Sequence, residues 1–248
     1  MSGYSKKLEK EFVLKICRPN YLVNNECSML KKYDKIACKC IYISEEDRIL
    51  LLEKLEPGYN INQIKNREER IKCFVQLMKK TVIEIDDKKY ITYEERIKKG
   101  FLSATENRQK YGETAELVPI AYEYYKEIQN LKLKKYLLHG DLGVGNIIKS
   151  GNIWKVIDPQ GVIAEEIFEV IKFVRSEIEN DENVTQAIAE TVERLSKLIP
   201  YSKGVIAKVT FIELIRVNCW RIGENDIREY VNKNLILAKE VLKYINSI

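Results

Sequence analysis

The stretch LLHGDLGVGNIIKSGNIWKVIDPQG, residues 137–161, is the most informative part of this chain. Two short apolar segments flank the turn SGN, which predicts a β-hairpin over 147–157. Asn146 lies just before this hairpin and Asp158 just after it, so the hairpin brings these two side chains close together. Asp141 precedes Asn146 by five residues and is expected to join them. The sequence therefore predicts a cluster of three oxygen-bearing side chains at one end of a hairpin.

These three side chains suit phosphoryl transfer. Asn146 and Asp158 offer hard oxygen ligands of the kind that Mg²⁺ takes, and they leave its other positions for phosphate and water. Asp141 is then the separate carboxylate that orients an attacking hydroxyl and accepts its proton. Taken singly, Asp141 and Asn146 could equally cap turns, since both residue types favour such positions. The function is indicated by the three together.

The motifs of this stretch are similar to those of a known family. HGDLGVGN resembles the catalytic loop of kinase-like folds, in the HGDLxxxN form of small-molecule kinases, and IDPQG resembles their metal-binding IDP motif. The run most resembles the aminoglycoside phosphotransferases, and within them the streptomycin and hydroxyurea resistance kinases. This resemblance extends over about residues 12–178. Two residues depart from the usual pattern, Gly143 after HGDL and Gln160 within the IDP segment, and both positions could alter acceptor specificity.

The resemblance implies roles for the clustered residues. Asp141 resembles the catalytic base, and Asn146 and Asp158 resemble the magnesium ligands. His139, the one histidine of the chain, resembles the structural histidine that braces the loop without taking part in the chemistry. ATP and Mg²⁺ are the expected cofactors.

The N-terminal part of the chain carries the expected nucleotide contacts. FVLKIC resembles the strand whose lysine, here Lys15, meets the α- and β-phosphates, and Glu26 resembles its ion-pair partner on the next helix. LLLEKLEPG resembles the hinge, where backbone groups near Glu53 to Leu55 would contact the adenine. Without the resemblance, Lys15 would be an ordinary strand lysine and Glu26 a surface helix residue.

The order of predicted elements points to two lobes. The chain opens with strand, helix, strand and strand, and the remainder is mostly helical. We expect an α+β, two-lobed protein-kinase-like fold, with a small β-rich lobe over 1–55 and a helical lobe over 56–248 that holds the catalytic loop and metal site. Fourteen residues precede Lys15, which predicts one strand there and a truncated small lobe without the usual glycine-rich hairpin. A catalytically impaired nucleotide-binding module, or a truncated remnant, is therefore the alternative hypothesis.

Composition excludes several classes of protein. The net charge is +5 and the basic residues are spread along the chain, which argues against a nucleic-acid partner. No apolar run reaches about 18 residues, so no membrane span is expected. Six cysteines form no CxxC pair, and Cys38 and Cys40 are expected to be reduced thiols facing one side of a strand. Reduced thiols without a secretory signal predict a cytoplasmic protein. The oligomeric state is left open.

An acidic segment comes after the IDP motif. Between Ile163 and Glu193, nine acids stand against two bases. The spacing of apolar residues predicts an amphipathic helix over the first part of this segment, from Ile163 to Ile178. An acidic surface beside the site would attract a cationic acceptor, such as an aminoglycoside like streptomycin. Glu165 and Glu166 are the first candidates for this contact. The alternative interpretation is a solvated helix face.

Overall fold

The N-terminal part of the chain forms a four-stranded antiparallel sheet with the strand order β1-β2-β4-β3. The structure is a computed structural model that describes residues 2–5, 10–18, 23–86, 89–179, 181–225 and 228–248. Its first four strands are β1 (Ser2–Ser5), β2 (Lys10–Ile16), β3 (Cys40–Ser44) and β4 (Ile49–Glu53). Gly3 lies opposite Phe12 in the pairing of β1 with β2. The expected strand ahead of FVLKIC is therefore confirmed.

One helix, α1 (Val23–Tyr33), packs against this sheet. Its buried residues recur with the helical period, as expected of a helix with one face on a sheet: Val23, Glu26, Cys27, Met29, Leu30 and Tyr33. Glu26 puts a carboxylate on that buried face, so it needs a charged or hydrogen-bonding partner. Asn20, which the sequence suggests as the cap of this helix, lies outside the described residues.

A disulfide joins Cys27 of α1 to Cys40 of β3, with Cα atoms 5.6 Å apart. The expectation that Cys40 is a reduced thiol facing the same side as Cys38 is therefore wrong. Cys38 precedes β3, is buried, and its backbone N–H donates to the carbonyl of Val156 at 3.1 Å. Sequence spacing misses the Cys27–Cys40 pair because the two residues meet only when α1 folds onto the sheet.

The rest of the chain is mainly helical, so the predicted fold class is confirmed. Its helices are α2 (Arg67–Thr81), α3 (Tyr93–Glu106), α4 (Arg108–Tyr111), α5 (Glu113–Asn130), α6 (Ile171–Ile178), α7 (Val184–Ser196), α8 (Lys203–Gly223) and α9 (Arg228–Ser247). Helix α8 has buried residues on all of its sides, which is typical of a helix at the centre of a core. Within the described ranges, no helix is both long enough and apolar enough to cross a lipid bilayer.

Short strands lie within this helical part and carry the motif residues. They are β5 (Pro57–Asn60), β6 (Lys135–Leu138), β7 (Ile147–Ser150), β8 (Ile153–Val156) and β9 (Val162–Glu165). Strands β7 and β8 form the predicted hairpin, and β5 pairs with β7 on its other side. The chain thus leaves the first sheet after Glu53 and enters the second at Pro57, where the sequence predicts the boundary between the lobes.

Strand β9 corrects the expected helix from Ile163. All four of its residues are buried, and Val162 lies opposite Leu138 in an antiparallel pair with β6. A short 3₁₀ turn comes next, and helix α6 begins at Ile171. The spacing of apolar residues is misleading here because a strand that is buried on both faces reads as a nearly continuous apolar run, here Val162–Ala164, with no period of two.

Two glycines with positive φ provide a matched stability test. We expect Gly140→Ala to lower the free energy of unfolding by about 2–5 kcal/mol, since φ is +76° and the new Cβ would lie 2.4 Å from Cγ2 of Val162. Gly151→Ala, at φ +54° with open space around it, should cost only about 1–2 kcal/mol. Urea unfolding of both variants measures the difference. Equal losses would contradict the tight packing of Gly140 against Val162.

Candidate active site

Asp141 lies between β6 and β7, and two donors hold its carboxylate. Nδ2 of Asn146 is 3.1 Å from its Oδ2 and 2.8 Å from its backbone carbonyl oxygen. On the other side, Nζ of Lys172 in α6 is 3.3 Å from its Oδ1. The structure therefore brings Asp141 and Asn146 together, as the hairpin predicts. It adds Lys172, which the sequence does not single out.

Asp158 follows β8 and meets the first sheet through Lys15. Nζ of Lys15 is 2.5 Å from Oδ1 of Asp158 and 2.7 Å from Oε2 of the buried Glu26. Burial alone would lower the pKa of Lys15, but the two carboxylates outweigh burial and raise it, so the ammonium group stays charged. The expected contact between Lys15 and Glu26 is thus present, and Asp158 joins it.

The backbone of Asp158 adopts a left-handed conformation, with φ 58°. This region is disfavoured for a residue with a side chain, and more so before a proline such as Pro159. Residues held in this way cost about 1–3 kcal/mol and cluster at functional sites. The next residues are fixed by hydrogen bonds, since the N–H groups of Gln160 and Gly161 both donate to the carbonyl of His139.

His139 is fully buried and connects the Asp141 loop to the end of the hairpin. Its Nε2 is 3.0 Å from the carbonyl oxygen of Ile157, which can only accept, so Nε2 carries the proton. Nδ1 is then the acceptor for the backbone N–H of Asp141 at 3.3 Å. Burial lowers the pKa of His139 to about 4, so the ring is neutral. Both ring nitrogens are therefore used to hold the backbone of the loop in place.

This neutral histidine predicts a pH-dependent stability. Between pH 6.5 and about 4 the unfolded chain binds a proton that folded His139 does not, so the free energy of unfolding falls as the pH falls. We expect up to about 3 kcal/mol of loss from this residue. Urea unfolding of the wild type and of His139→Gln at pH 7 and pH 4.5 isolates it, because all other groups are common to both. An equal pH dependence in the two proteins would contradict the prediction.

Glu169 accepts hydrogen bonds from the backbone of the same loop. Its Oε1 accepts from the N–H of His139 at 2.8 Å and its Oε2 accepts from the N–H of Gly140 at 3.0 Å. The hydroxyl of Thr81 also donates to Oε1, at 3.3 Å. Burial raises the pKa of Glu169 to about 7, against the lowering effect of these bonds. Glu169 thus fixes the backbone immediately before Asp141.

Glu213 of α8 forms an ion pair with Lys172, the lysine that also contacts Asp141. Its carboxylate is buried and accepts a bidentate pair from Arg216, at 2.6 and 2.7 Å, and a bond from the hydroxyl of Tyr93 at 2.7 Å. Nζ of Lys172 is 3.3 Å from its Oε1. Burial alone would raise the pKa of Glu213, but Arg216 and Lys172 hold it well below its usual range. Lys172 therefore stands between two carboxylates.

Both buried acids are marked in the sequence by their neighbours. Glu169 stands within IFEVI and Glu213 within FIELI. An acid inside a continuous apolar run is expected to be buried and paired. The sequence thus carries a signal for their burial, but it does not tell which groups the carboxylates hold.

One of the two hinge residues, Glu53, already uses its backbone N–H within the protein. The backbone N–H of Glu53 donates to the carbonyl of Lys39 at 2.9 Å, so this donor is already used within the sheet. The carboxylate of Glu53 accepts from Nζ of the buried Lys155 in β8 at 2.9 Å. Leu55 lies beyond the end of β4 and is half-buried. The adenine contact by backbone groups near Glu53 to Leu55 stays a prediction, with the N–H of Glu53 already bonded within the sheet.

Most of the acids after the IDP motif are buried or paired with basic side chains. Glu165 is buried in β9 and is 3.9 Å from Lys135, and Glu166 opens the 3₁₀ turn after it. Three of the others pair with α2, Glu177 with Arg70 and Asp181 and Glu190 with Arg67. Two form local pairs four residues apart, Glu179 with Arg175 and Glu193 with Lys197. Glu165 is therefore too buried to meet a cationic acceptor at the surface, which corrects that expectation, whereas a contact by the half-buried Glu166 stays a prediction.

The donor atoms at the end of the hairpin fit Mg²⁺. Asn146 and Asp158 supply hard oxygen atoms, and Nδ2 of Asn146 is committed to Asp141, which leaves its Oδ1 for a cation. In the part of the chain that the structure describes, no group of three or more His, Cys, Asp or Glu side chains could hold a metal ion. An ion at this place would take its remaining ligands from phosphate and water, as nucleotide-bound Mg²⁺ does.

Solved structures with a similar fold are small-molecule kinases. A choline kinase from Streptococcus pneumoniae superposes with a TM-score of 0.72 at 16% identity, over 95% of this chain and 87% of that one. An amicoumacin kinase in complex with AMP-PNP, Ca²⁺ and its antibiotic gives 0.65 at 12% identity, over 97% and 84%. An aminoglycoside 2'-phosphotransferase in its GDP complex gives 0.62 at 10% identity, over 88% and 81%. At these identities the likeness shows the fold.

Sequence comparison supplies the family. A search of curated protein sequences finds no significant match. A family model described as aminoglycoside/hydroxyurea antibiotic resistance kinase matches residues 12–206. That range runs from the strand of Lys15 through the loop of Asp141 to the early turns of α8, and so contains every motif residue of the cluster. The chain therefore belongs to the aminoglycoside/hydroxyurea antibiotic resistance kinase family, and it is a small-molecule kinase with the kinase-like fold that its sequence predicts.

Proposed function

We propose that this kinase transfers the γ-phosphoryl group of ATP, in the presence of Mg²⁺, to an alcohol group of a small molecule. The proposal is carried by two contacts, Asn146 with Asp141 and Lys15 with Asp158. The bond from the N–H of Ile157 to the carbonyl of Asn146, at 3.1 Å, brings them to the same end of the hairpin. An amicoumacin kinase of the same fold was solved with an ATP analogue and a divalent cation, which supports the same pair of cofactors here. A cytoplasmic location, where ATP is supplied, accords with the proposal.

Each residue of the set has a role that its contacts support. Asp141 orients the acceptor hydroxyl and takes its proton, while Asn146 and Lys172 fix the direction of its carboxylate. Lys15, kept charged by Glu26, binds the phosphates of ATP, and the backbone N–H of Leu55 contacts the adenine. Asn146 and Asp158 hold Mg²⁺, which neutralises the phosphate oxygens when bound.

The proposed reaction balances with these groups alone. The acceptor oxygen forms a bond to the γ-phosphorus as the bond from that phosphorus to the β–γ bridging oxygen breaks. The hydroxyl proton passes to Asp141, and the products are a phosphate monoester and ADP. Most of the acceleration in such a site comes from positioning and fixed charge. His139 and Glu169 contribute to the positioning, since they hold the backbone around Asp141.

The alternative is a catalytically impaired module that binds nucleotide without transferring phosphate. Mg·ATP should raise the melting temperature under both hypotheses, since it binds only the folded state. Acceptor-dependent ADP release occurs only if the kinase is active. Release that depends on an added alcohol supports the enzyme, whereas a shift in melting temperature without release, across all acceptor classes, supports the module.

The nucleotide site has its own matched control. Lys15→Met should remove most of the Mg·ATP-induced shift in melting temperature. Lys134→Met changes an exposed lysine that pairs with Glu84 at the surface, and it should leave the shift unchanged. If Lys15→Met keeps the full shift, Lys15 does not bind the phosphates.

The description of the matching family favours an antibiotic such as an aminoglycoside as the acceptor. This is also the acceptor that the sequence predicts. Its electrostatic support is reduced, since Glu165 is buried and most of the other acids are paired. The structure also contains a cavity beside the Asp141 loop, and the charge of its lining bears on the acceptor class.

A further inference from the structure

A cavity of about 470 Å³ opens beside the Asp141 loop, between α3, α6, α8 and the start of α9. Its charged lining is mostly basic: Arg96, Lys99, Lys172, Arg175, Arg216 and Arg221. The acids in its lining are Glu95 and Glu224. Because Lys172 also contacts Asp141, a molecule in this cavity lies next to the proposed catalytic base.

Some of these cations are already neutralised within the protein. Arg216 forms its bidentate pair with Glu213, and Lys172 stands between that carboxylate and Asp141. Arg175 pairs with Glu179 at 3.2 Å. The charge that remains for a ligand is therefore concentrated on the wall formed by α3.

Arg96 is the main cation of that wall. Its guanidinium donates to the side-chain amide oxygen of Gln160 at 3.0 Å, and no carboxylate of the described residues lies within ion-pair distance of it. Burial, and after it the nearby charge of Arg216, lower the pKa of Arg96 to about 10. A half-buried guanidinium with a neutral partner gains more from a bound anion than an exposed one does. Lys99, one helical turn further along α3, adds an exposed ammonium group to the same wall.

The opposite wall places two guanidinium groups against one aromatic ring. Arg221 lies 3.6 Å and Arg175 lies 4.8 Å from the centroid of Tyr230. Because Arg175 is already paired with Glu179, this wall adds less charge than the wall formed by α3, and Arg96 and Lys99 remain the cations that attract an acid group. The Asp141 loop approaches the same place closely, since a Cβ at Gly143 would lie 3.2 Å from Oγ of Ser176 and 3.7 Å from Cβ of Lys172.

We propose that the phosphoryl acceptor is an alcohol that also carries a carboxylate or phosphate group, and that Arg96 and Lys99 hold this acid group while the hydroxyl faces Asp141. The inference rests on the proposed kinase reaction and names its substrate class. It is the opposite of the polycationic acceptor expected from the acidic segment. The acceptor hydroxyl forms the new phosphate ester, and the acid group stays unchanged.

The test is ADP release with alcohols of three charge classes at equal concentration. The acid-bearing class is glycerate, gluconate and glucose 6-phosphate, the neutral class is glycerol, glucose and hydroxyurea, and the cationic class is choline, streptomycin and kanamycin. We expect the highest kcat/KM in the acid-bearing class. Turnover of gluconate or of glucose 6-phosphate tells whether the acid group is a carboxylate or a phosphate.

Substitutions along α3 distinguish the residues that line the cavity from a residue outside it. Arg96→Gln should raise KM for acid-bearing acceptors roughly 10- to 100-fold with little change in kcat, and Arg96→Lys should retain part of the binding. Lys99→Gln, at an exposed position that does not disturb folding, should raise KM less. Lys98→Gln is the matched control, since Lys98 pairs with Glu94 outside the cavity.

Calorimetry keeps this inference separate from the proposed reaction. Gluconate and inorganic phosphate are titrated into the protein without nucleotide, with Lys15→Met to exclude binding at the ATP site. Binding that Arg96→Gln abolishes and Lys15→Met leaves intact supports the acid-binding cavity, even if no acceptor is phosphorylated. Preferential turnover of choline or the aminoglycosides would overturn the inference and leave the kinase reaction standing. Absence of both anion binding and turnover of acid-bearing alcohols would overturn it as well.

Discussion

Asp141→Asn is expected to lower kcat for phosphoryl transfer by roughly 10²- to 10⁴-fold, the range that a lost general base accounts for. Asparagine keeps the size of the side chain but removes the proton acceptor. Both neighbours of the carboxylate, Nδ2 of Asn146 and Nζ of Lys172, are donors, so the amide cannot satisfy the two as the carboxylate does. The measurement is ADP release with the best acceptor under saturating Mg·ATP.

A binding measurement and a control variant accompany this measurement of activity. The Mg·ATP-induced rise in melting temperature should persist, because Asp141 contacts neither Lys15 nor Leu55 in the described structure. Glu84→Gln, a surface change at a residue that pairs with Lys134, should keep full activity. If Asp141→Asn turned over at the wild-type rate, Asp141 would have no role in the proton transfer.

Glu213→Ala is expected to lower the free energy of unfolding by about 3–5 kcal/mol, which is the usual cost of leaving a buried charge without its partner. The change removes both hydrogen bonds to Arg216 and the bond from Tyr93. It also releases Lys172 from one of its two carboxylates, so activity should fall together with stability. Urea unfolding at constant m-value measures the loss.

The matched control for this change lies at the surface. Glu193 of α7 also pairs with lysines, Lys197 and Lys203, but it is exposed, so Glu193→Ala should have no measurable effect. A double change, Glu213→Leu with Arg216→Met, removes both buried charges and should recover much of the lost stability. Equal losses for Glu213→Ala and Glu193→Ala would show that burial does not determine the strength of these pairs.

The parts of the site that lie close together in the sequence are the parts that the sequence predicts. Asn146 and Asp158 flank a hairpin whose register is set by a short turn, so their proximity is a local property. Lys15 and Glu26 belong to a strand and the next helix, and the resemblance to kinases supplies their pairing. The strand ahead of FVLKIC is predicted from chain length alone.

The parts that depend on packing between distant helices are the parts that sequence analysis misses. Lys172 reaches Asp141 only because α6 and α8 pack side by side around Glu213. The charge of the cavity beside Asp141 is set by residues of α3, α6, α8 and the start of α9, which a count of acids along one segment does not capture. Strand β9 likewise depends on β6, which lies more than twenty residues earlier in the chain.

Three contacts described above join the N-terminal part of the chain to β8 and the residue after it. The bond from Cys38 to Val156 and the ion pair between Glu53 and Lys155 involve no side chain proposed to bind ATP or Mg²⁺. The third contact, of Lys15 with Asp158, uses two residues of the proposed nucleotide site. Under the proposed function, phosphates that bind Lys15 compete with Asp158 for its ammonium group. Nucleotide binding is therefore expected to loosen one of the three contacts and to leave the other two in place.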